Sequence, residues 1–426
     1  MTETRLREDL ANQYDWDTIL EYWYCPTPNE EYLTQRETTY DDGTVRIDSW
    51  DPSGVPTNLY LHDGGFNEEW DTIITQYDPN GDILTRETGY DDGGLKREDY
   101  AFGVITYMMQ RDGNDGPEPF GSHDWHSIDT YYDPLGQISE RATFYDDGSF
   151  KQEYFSDGVR SYETRFDNSS TNNWQQIDII YDPLGQVQER FTEYDDLTIL
   201  IEQFEQGIRR RSEHLDMDDG SNGGGVKKWS RIETNYSEDG SLMDRVTEYD
   251  SGIIKFDEYD GGTLRQSTRI DSIDAQTAPA GIEAWGRIET HFDPDGSIDF
   301  RVTDFDNGVL RFEEFEDGVR RQSASSDGIA NGLPGSNGWE SSIVFYDTSG
   351  VREASLITYD DGDETATFYE NGQVASRHYI DGDEDKPWLA RIIRYAPDGS
   401  VQSDETFDDF ASAPSDFFDL PDQPLF

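Results

Sequence analysis

Residues 125–167 read WHSIDTYYDPLGQISERATFYDDGSFKQEYFSDGVRSYETRFD, and three turn signals divide them into four strand-length segments. The first signal, Asp133-Pro134-Leu135-Gly136, has proline second and glycine fourth, as in a type I turn. We interpret Asp146-Asp147-Gly148 and Ser156-Asp157-Gly158 as three-residue hairpin loops, each with a glycine for the left-handed position. The stretch therefore predicts an antiparallel meander of four short strands.

The same stretch recurs along the chain. Eight of the ten tryptophans are spaced 49–56 residues apart, and spacing this regular indicates internal repetition. Each repeat would span about 54 residues and end in a looser loop rich in Gly, Asn and Ser. The tryptophans are Trp16, Trp70, Trp125, Trp174, Trp229, Trp285, Trp339 and Trp388.

Aromatic residues keep fixed distances within each copy. Tyr132 is followed by an aromatic thirteen residues later, at Tyr145, and by another ten residues after that, at Phe155. Fixed strand lengths imply a fixed register. We predict an all-β fold, a tandem repeat of four-stranded antiparallel meanders. Its copies would form either an elongated sheet or spiral, or a propeller of seven or eight blades.

The pattern predicts three regions. Residues 1–15 would form an N-terminal strand or cap, since Glu3-Thr4-Arg5 resembles Glu163-Thr164-Arg165 in the last strand of a copy. Residues 16–409 would hold seven to eight repeats. Residues 410–426 form a proline-rich acidic tail without strand alternation, which we interpret as a flexible end, a docking segment or a C-terminal export signal.

Alternation within the strands assigns their faces. The second strand carries Arg-x-Thr-x-aromatic and the third carries basic-x-acidic-x-aromatic. A three-residue loop between them sets Thr143 opposite Lys151 and Arg141 opposite Glu153. Such cross-strand pairs contribute about 0.2–1 kcal/mol each. The pattern favours a ladder that stabilises the sheet, and the alternative is a repeated ligand groove.

The charge restricts the possible partners. The chain has 92 acidic and 33 basic residues, a net charge of −59. Such a surface repels phosphate backbones and anionic lipid, so nucleic acid and membrane insertion are not expected. Three explanations remain: solvation of an exposed sheet, binding of Ca²⁺, or binding of a cationic partner.

The sequence contains no recognisable catalytic motif. The six histidines occupy no repeated position, and with 92 acids a carboxylate pair carries no information about catalysis. We therefore predict that the protein is not an enzyme and assign no catalytic residue.

Calcium is the cofactor that the sequence favours. Alternating oxygen donors occur in the turns that begin at Asp78 and Asp293, and acidic clusters occur in two loops between repeats. The alternative is that Asp and Asn are simply preferred turn residues. The predicted metal ligands are Asp216, Asp218, Asp219, Asp381, Asp383 and Asp385.

The YDPLG turns at Tyr132 and Tyr181 and the YDDG turn at Tyr145 resemble the tyrosine–aspartate (YD) repeats of Rhs-type proteins. Residues 369–374, YENGQV, resemble the hairpins of MORN-variant repeats. Together the units are similar to repeat arrays in large acidic bacterial proteins, often secreted ones. The resemblance implies a β-repeat scaffold and supplies no catalytic residues. The unit departs from YD arrays in having four strands rather than two.

Three functions fit these features. The first is a non-enzymatic scaffold or binding protein at a bacterial surface, similar to an adhesin or fibre subunit, with a protein or carbohydrate partner or self-association. The second is a propeller-type carbohydrate-binding protein or glycosidase, in which Trp125 and Trp174 would stack on sugars. The third is an acidic partner or immunity protein for a basic protein. We expect an extracellular or cell-surface location without a Sec-type signal, or alternatively a cytoplasmic one.

Overall fold

The computed structural model describes residues 1–10, 13–27, 30–65, 68–113, 124–168, 172–217, 227–271, 285–327, 338–409, 412–414 and 417. These residues form 31 β-strands and no helix. The described residues therefore include no helix that is long and apolar enough to cross a membrane. The all-β prediction is confirmed. The chain divides into two compact units, Met1–Gly207 and Ile208–Phe426.

The first unit contains the strands β1 to β16. Their bounds are β1 Thr2–Glu8, β2 Trp16–Thr27, β3 Glu30–Tyr40, β4 Val45–Trp50, β5 Pro56–His62, β6 Trp70–Tyr77, β7 Ile83–Tyr90, β8 Leu95–Ala101, β9 Val104–Arg111, β10 Trp125–Tyr132, β11 Ile138–Tyr145, β12 Phe150–Ser156, β13 Val159–Phe166, β14 Trp174–Tyr181, β15 Val187–Tyr194 and β16 Thr198–Glu205.

The second unit contains the strands β17 to β31. Their bounds are β17 Ile208–Asp216, β18 Trp229–Tyr236, β19 Leu242–Tyr249, β20 Ile253–Asp260, β21 Thr263–Asp271, β22 Trp285–Phe292, β23 Ile298–Phe305, β24 Val309–Glu316, β25 Val319–Asp327, β26 Trp339–Tyr346, β27 Arg352–Tyr359, β28 Glu364–Glu370, β29 Gln373–Ile380, β30 Ala390–Tyr395 and β31 Val401–Phe407.

The first turn of a copy forms because its aspartate binds the turn backbone. Asp133 Oδ1 accepts hydrogen bonds from the amides of Leu135 and Gln137 at 2.9 and 2.8 Å. Gly136 N donates to Asp133 O at 2.9 Å, and Gly136 has a φ of 78°, where a side chain would be strained. The predicted Asp-Pro-Leu-Gly turn is confirmed.

The third turn differs from the prediction of a three-residue loop over Ser156-Asp157-Gly158. Ser156 pairs with Val159, so only Asp157 and Gly158 form the loop. Both have positive φ, 52° and 77°, which is the backbone of a type I′ hairpin. This two-residue loop matches the right-handed twist of the strands, whereas the predicted loop would have placed Ser156 outside the sheet.

Copies are joined by backbone hydrogen bonds. Within the first unit the last strand of one copy pairs antiparallel with the first strand of the next, as β9 does with β10 and β13 with β14. Propeller blades instead pack against each other as separate four-stranded sheets. The propeller alternative is therefore wrong, and consecutive meanders share a sheet within each unit.

The predicted register is confirmed on one face of the meander, which we call the ladder face. In the copy that begins at Trp125, Arg141 pairs with Glu153, and Glu153 pairs with Glu163 on the following strand. The acids are buried although they are charged: Glu153 is 4% exposed and Glu163 is 0% exposed. Among the described residues, buried polar side chains, mainly Thr, Glu, Ser and Asp, outnumber buried apolar ones.

The charge partners on the ladder face differ from those expected. Glu153 contacts Lys151 of its own strand at 3.2 Å and Arg160 of the next strand at 3.1 Å. The Arg141 guanidinium lies 5.9 Å from the Phe155 ring centroid. Arg141 and Glu153 are opposite each other on neighbouring strands. The long Arg141 side chain nevertheless extends along the ladder face to the Phe155 ring.

An apolar cluster lies at the end of the second unit. Ala390 and Ile392 of β30 pack with Phe417, which is 3% exposed. His378 Nδ1 of β29 donates to the Phe417 carbonyl at 2.9 Å. Of the tail predicted over residues 410–426, the structure describes Ser412, Ala413, Pro414 and Phe417, and Phe417 docks on the chain's own sheet.

Candidate functional site

The face opposite the ladder face varies from copy to copy, and we call it the variable face. The position of Phe144 is Glu193, Glu248 or Asp304 in three other copies. The position of Tyr154 is Gln203, Glu258 or Glu314 in the same copies. The Arg-x-Thr-x-aromatic pattern of the ladder face recurs on the second strand of five copies, whereas the variable face is free to carry a specific surface.

Seven aromatic side chains cluster on the variable face of the first unit. Phe144, Phe150 and Phe166 occupy opposed positions on three neighbouring strands, with ring centroids 4.9 and 6.2 Å apart. Tyr131, Tyr154 and Phe144 are 44%, 37% and 40% exposed. We call this group the aromatic surface. Its members are Tyr107, Tyr131, Phe144, Phe150, Tyr154, Tyr162 and Phe166.

A mainly polar row runs between the phenylalanines and the tyrosines, and it consists of Asp129, Ala142, Gln152, Thr164 and Asp178. The hydroxyl groups of Tyr107 and Tyr162 donate to the carboxylates of Asp129 and Asp178, each at 2.8 Å. Partial burial, together with the Asp129 carboxylate, raises the pKa of Tyr107 to about 12. Tyr107 therefore keeps its proton at neutral pH, and the two hydrogen bonds fix the orientation of the rings.

This arrangement is suited to binding. Exposed rings held by neighbouring rings and by carboxylates offer apolar area at a low cost in conformational entropy. The Asp, Gln and Thr side chains between them offer acceptors and donors to a polar partner. An exposed aromatic surface on a chain of net charge −59 requires an explanation beyond folding.

The regularly spaced tryptophans have a structural position. Trp125 begins β10 and pairs with Tyr145 at the end of β11, and Trp174 pairs in the same way with Tyr194. Both tryptophans are half-buried. A tryptophan opposite an aromatic residue at the same place in each hairpin is typical of cross-strand packing, so we assign no ligand to this position.

The structure brings together two of the predicted metal ligands and adds a third residue. Carboxylate oxygens of Asp381, Asp383 and Asp363 lie within 4.8 Å of one another. The Lys386 ammonium lies 2.9 Å from Asp363 and 2.5 Å from Asp385, so it already supplies a positive charge. Burial raises the pKa of Asp363, but Lys386 and the Gly382 amide lower it further, and the net shift is downward.

Of the other predicted ligands, Asp216 and Asp385 belong to no such cluster among the described residues. Asp216 ends β17, and Asp218 and Asp219 lie outside the described residues. In the turn at Asp78, Oδ1 of that residue accepts amide hydrogen bonds from Asn80 and Asp82 at 2.8 and 3.0 Å. This carboxylate is thus used by its own turn.

Calcium at the Asp381 cluster stays a prediction, with an affinity that Lys386 should limit. We expect the wild-type protein to bind Ca²⁺ there only at millimolar concentrations, because the ion must displace the ammonium group. Lys386→Met should tighten binding about tenfold, and Asp383→Asn should abolish it. Titration calorimetry with CaCl₂ measures both. Equal affinity of the wild type and Lys386→Met would contradict the prediction.

These observations define an all-β tandem repeat of β-hairpins. No family model matches the chain, and no curated protein matches it. Among solved structures, TcdB2-TccC3 without its hypervariable C-terminal region is 13% identical, with 95% of this chain and 22% of that chain covered and a TM-score of 0.18.

Two further solved structures are similar at the same low level. The Tc holotoxin pore of Photorhabdus luminescens is 10% identical over 95% of this chain and 24% of that one, with a TM-score of 0.20. Sqt1 of Saccharomyces cerevisiae is 11% identical over 86% and 92%, with a TM-score of 0.14. The chain thus spans under a quarter of the length of the two toxin proteins.

Proposed function

We propose that this protein is a non-enzymatic β-repeat scaffold of the YD-repeat type that binds a partner through the aromatic surface of its first unit. One observation carries the proposal. Six aromatic side chains lie on the variable face of the copy that begins at Trp125, and Tyr107 adjoins them from the preceding strand, whereas three other copies have acids or amides in place of Phe144 and Tyr154. Folding alone does not require them, because copies without them form the same meander.

The partner that we propose is a protein or a carbohydrate at a bacterial surface. The high acidity keeps such a scaffold soluble outside the cell. A protein partner would bury Phe144 and Tyr154 as anchors, in the manner of interface hot spots. A carbohydrate would stack on the same rings and hydrogen-bond to the polar side chains between them. Both partners use the same residues.

The test compares two variants in adhesion to bacterial cells. Phe144→Glu combined with Tyr154→Gln installs the residues that another copy carries at these positions, Glu193 and Gln203. We expect the labelled double variant to bind cells at least about tenfold more weakly than the wild type in flow cytometry. Phe256→Gln removes a ring that is 40% exposed in the second unit and should bind normally.

Pretreatment of the cells identifies the partner class. Loss of wild-type binding after protease treatment indicates a protein, and loss after periodate oxidation of vicinal diols indicates a carbohydrate. Circular dichroism checks that the double variant remains folded. Undiminished adhesion of a folded double variant would refute the proposed function.

A further inference from the structure

A pocket on the ladder face of the second unit is lined by cations. It encloses about 330 Å³ over β20 to β23, and Lys255, Arg269 and Arg301 line it. Ser267 and Thr290, which are 8% and 9% exposed, form its floor. No acid is among the described residues that line the pocket, although the chain has 92 acids and 33 bases. The pocket is thus lined by positive charge, although the protein as a whole is strongly negative.

One of the three cations, Arg269, has no acidic partner among the described residues. Lys255 Nζ lies 2.7 Å from Asp257, and Arg301 lies 3.7 Å from Glu313. Arg269 makes no ion pair within 4.0 Å in the part of the chain that the structure describes, and its side chain is exposed. Its guanidinium can therefore donate to an anion without first breaking an existing contact.

An equivalent position in the first unit shows what such an arginine binds. The cross-strand pairs Lys255–Arg269 and Asp257–Ser267 correspond to Lys151–Arg165 and Glu153–Glu163. There the fully buried Glu163 contacts both Arg165 and Arg160.

In the second unit a serine replaces that carboxylate. Ser267 leaves open the space that the Glu163 side chain fills in the first unit, and it leaves Arg269 without the acid that Arg165 has.

We propose that this pocket binds an organic carboxylate from outside the chain. The carboxylate would lie between Arg269 and Arg301, above the hydroxyl groups of Ser267 and Thr290, where charge-assisted hydrogen bonds are strong. Ile288 and Phe292 line the pocket beside these groups and would contact an apolar part of the ligand. The ligand class is a carboxylate with an apolar body, either a free small acid or an acidic side chain on a peptide. This site is independent of the aromatic surface.

Titration calorimetry with phenylacetate, and with neutral phenylacetamide as its matched control, tests the proposal. We expect phenylacetate to bind with a dissociation constant in the millimolar range, and the amide at least about tenfold more weakly. Capped Phe-Glu and Phe-Gln dipeptides form the second pair. Binding of the Glu peptide would mean that the pocket accepts a carboxylate on a peptide, and its failure beside phenylacetate binding would mean that the pocket takes free acids.

Two variants and one control variant distinguish binding in the pocket from general charge effects. Ser267→Glu places a carboxylate at the position that Glu163 occupies in the first unit. This variant should no longer bind phenylacetate, and its melting temperature should not fall. Arg269→Gln should weaken binding about tenfold or more, whereas Arg287→Gln, which removes an exposed charge of the same strand pair, should leave it unchanged. Equal binding of phenylacetate and phenylacetamide, absence of phenylacetate binding, or full binding by folded Arg269→Gln would overturn the proposal.

Discussion

Replacing Glu163 with glutamine is expected to destabilise the first unit by about 2–3 kcal/mol. Glu163 is 0% exposed and contacts Arg165 and Arg160, and it accepts a hydrogen bond from the Tyr181 hydroxyl at 3.1 Å. Removing one member of a fully buried pair costs about 3–5 kcal/mol. The two arginines are 44% and 38% exposed and can regain water, so we expect a smaller loss.

The same carboxylate gives the effect a pH dependence. Burial raises the pKa of Glu163, but Arg165, Arg160 and Tyr181 lower it further, so the folded pKa lies below the ordinary value of 4.5. Its stabilisation is therefore present above pH 4.5 and is lost as the pH falls through the folded pKa. Glutamine does not titrate, so the gap between wild type and Glu163→Gln should close in acid.

Urea unfolding followed by tryptophan fluorescence at pH 7 and at pH 3 measures both effects. Glu189→Gln is the matched control, because Glu189 lies on the variable face and has no ion pair within 4.0 Å among the described residues. We expect it to change the free energy of unfolding by less than about 0.5 kcal/mol. A Glu163→Gln variant with wild-type stability at pH 7 would show that the buried carboxylate contributes nothing.

The register could be predicted from the sequence because several periodic signals agree. The tryptophan spacing sets the copy length, the aromatic spacing sets the strand length, and the Asp146-Asp147-Gly148 loop sets the hairpin of the second and third strands. Together they predict Arg141 opposite Glu153, and the structure has that pair. The side-chain contacts do not follow from the register, because a flexible arginine can reach several neighbours, and Glu153 contacts Lys151 and Arg160 instead.

Two other differences have separate causes, turn chemistry at Asp157 and strand register at Asp363. The two-residue loop at Asp157 requires positive φ at a residue other than glycine, which Asp tolerates, and glycine spacing alone does not reveal it. Asp363 was not among the predicted ligands because it is 18 residues from Asp381 in sequence. The β28–β29 hairpin pairs Glu364 with Ile380, and this register places the two aspartates side by side.

The aromatic surface can be recognised in the sequence only by comparing the copies. Phe144 and Phe150 lie on different strands, and the hairpin register is needed to predict that they face each other on the same side of the sheet. Comparing the copies position by position separates constant from variable positions and singles out the copy that begins at Trp125. The same comparison identifies Ser267 as the counterpart of Glu163.

Replacing Phe417 with alanine is expected to destabilise the end of the second unit by about 3 kcal/mol, the lower end of the range for a buried phenylalanine. Its ring packs on Ala390 and Ile392, which are 0% and 1% exposed, and lies 5.1 Å from the His378 ring. Few other apolar side chains in the described part of the chain are as buried, so neighbouring contacts cannot compensate for the cavity. Amide hydrogen exchange should therefore quicken in β29, β30 and β31.

Leu310→Ala serves as the control, since Leu310 belongs to the same unit but is 45% exposed, and it should cost less than about 1 kcal/mol. In a repeat protein each copy is stabilised by its neighbours, so the loss at Phe417 should decay along the sheet away from β30. Faster exchange confined to β29–β31 would identify the tail as a local cap of this unit. Unchanged exchange in β30 would mean that the Phe417 contact does not stabilise the sheet, and the tail would then be available to another partner.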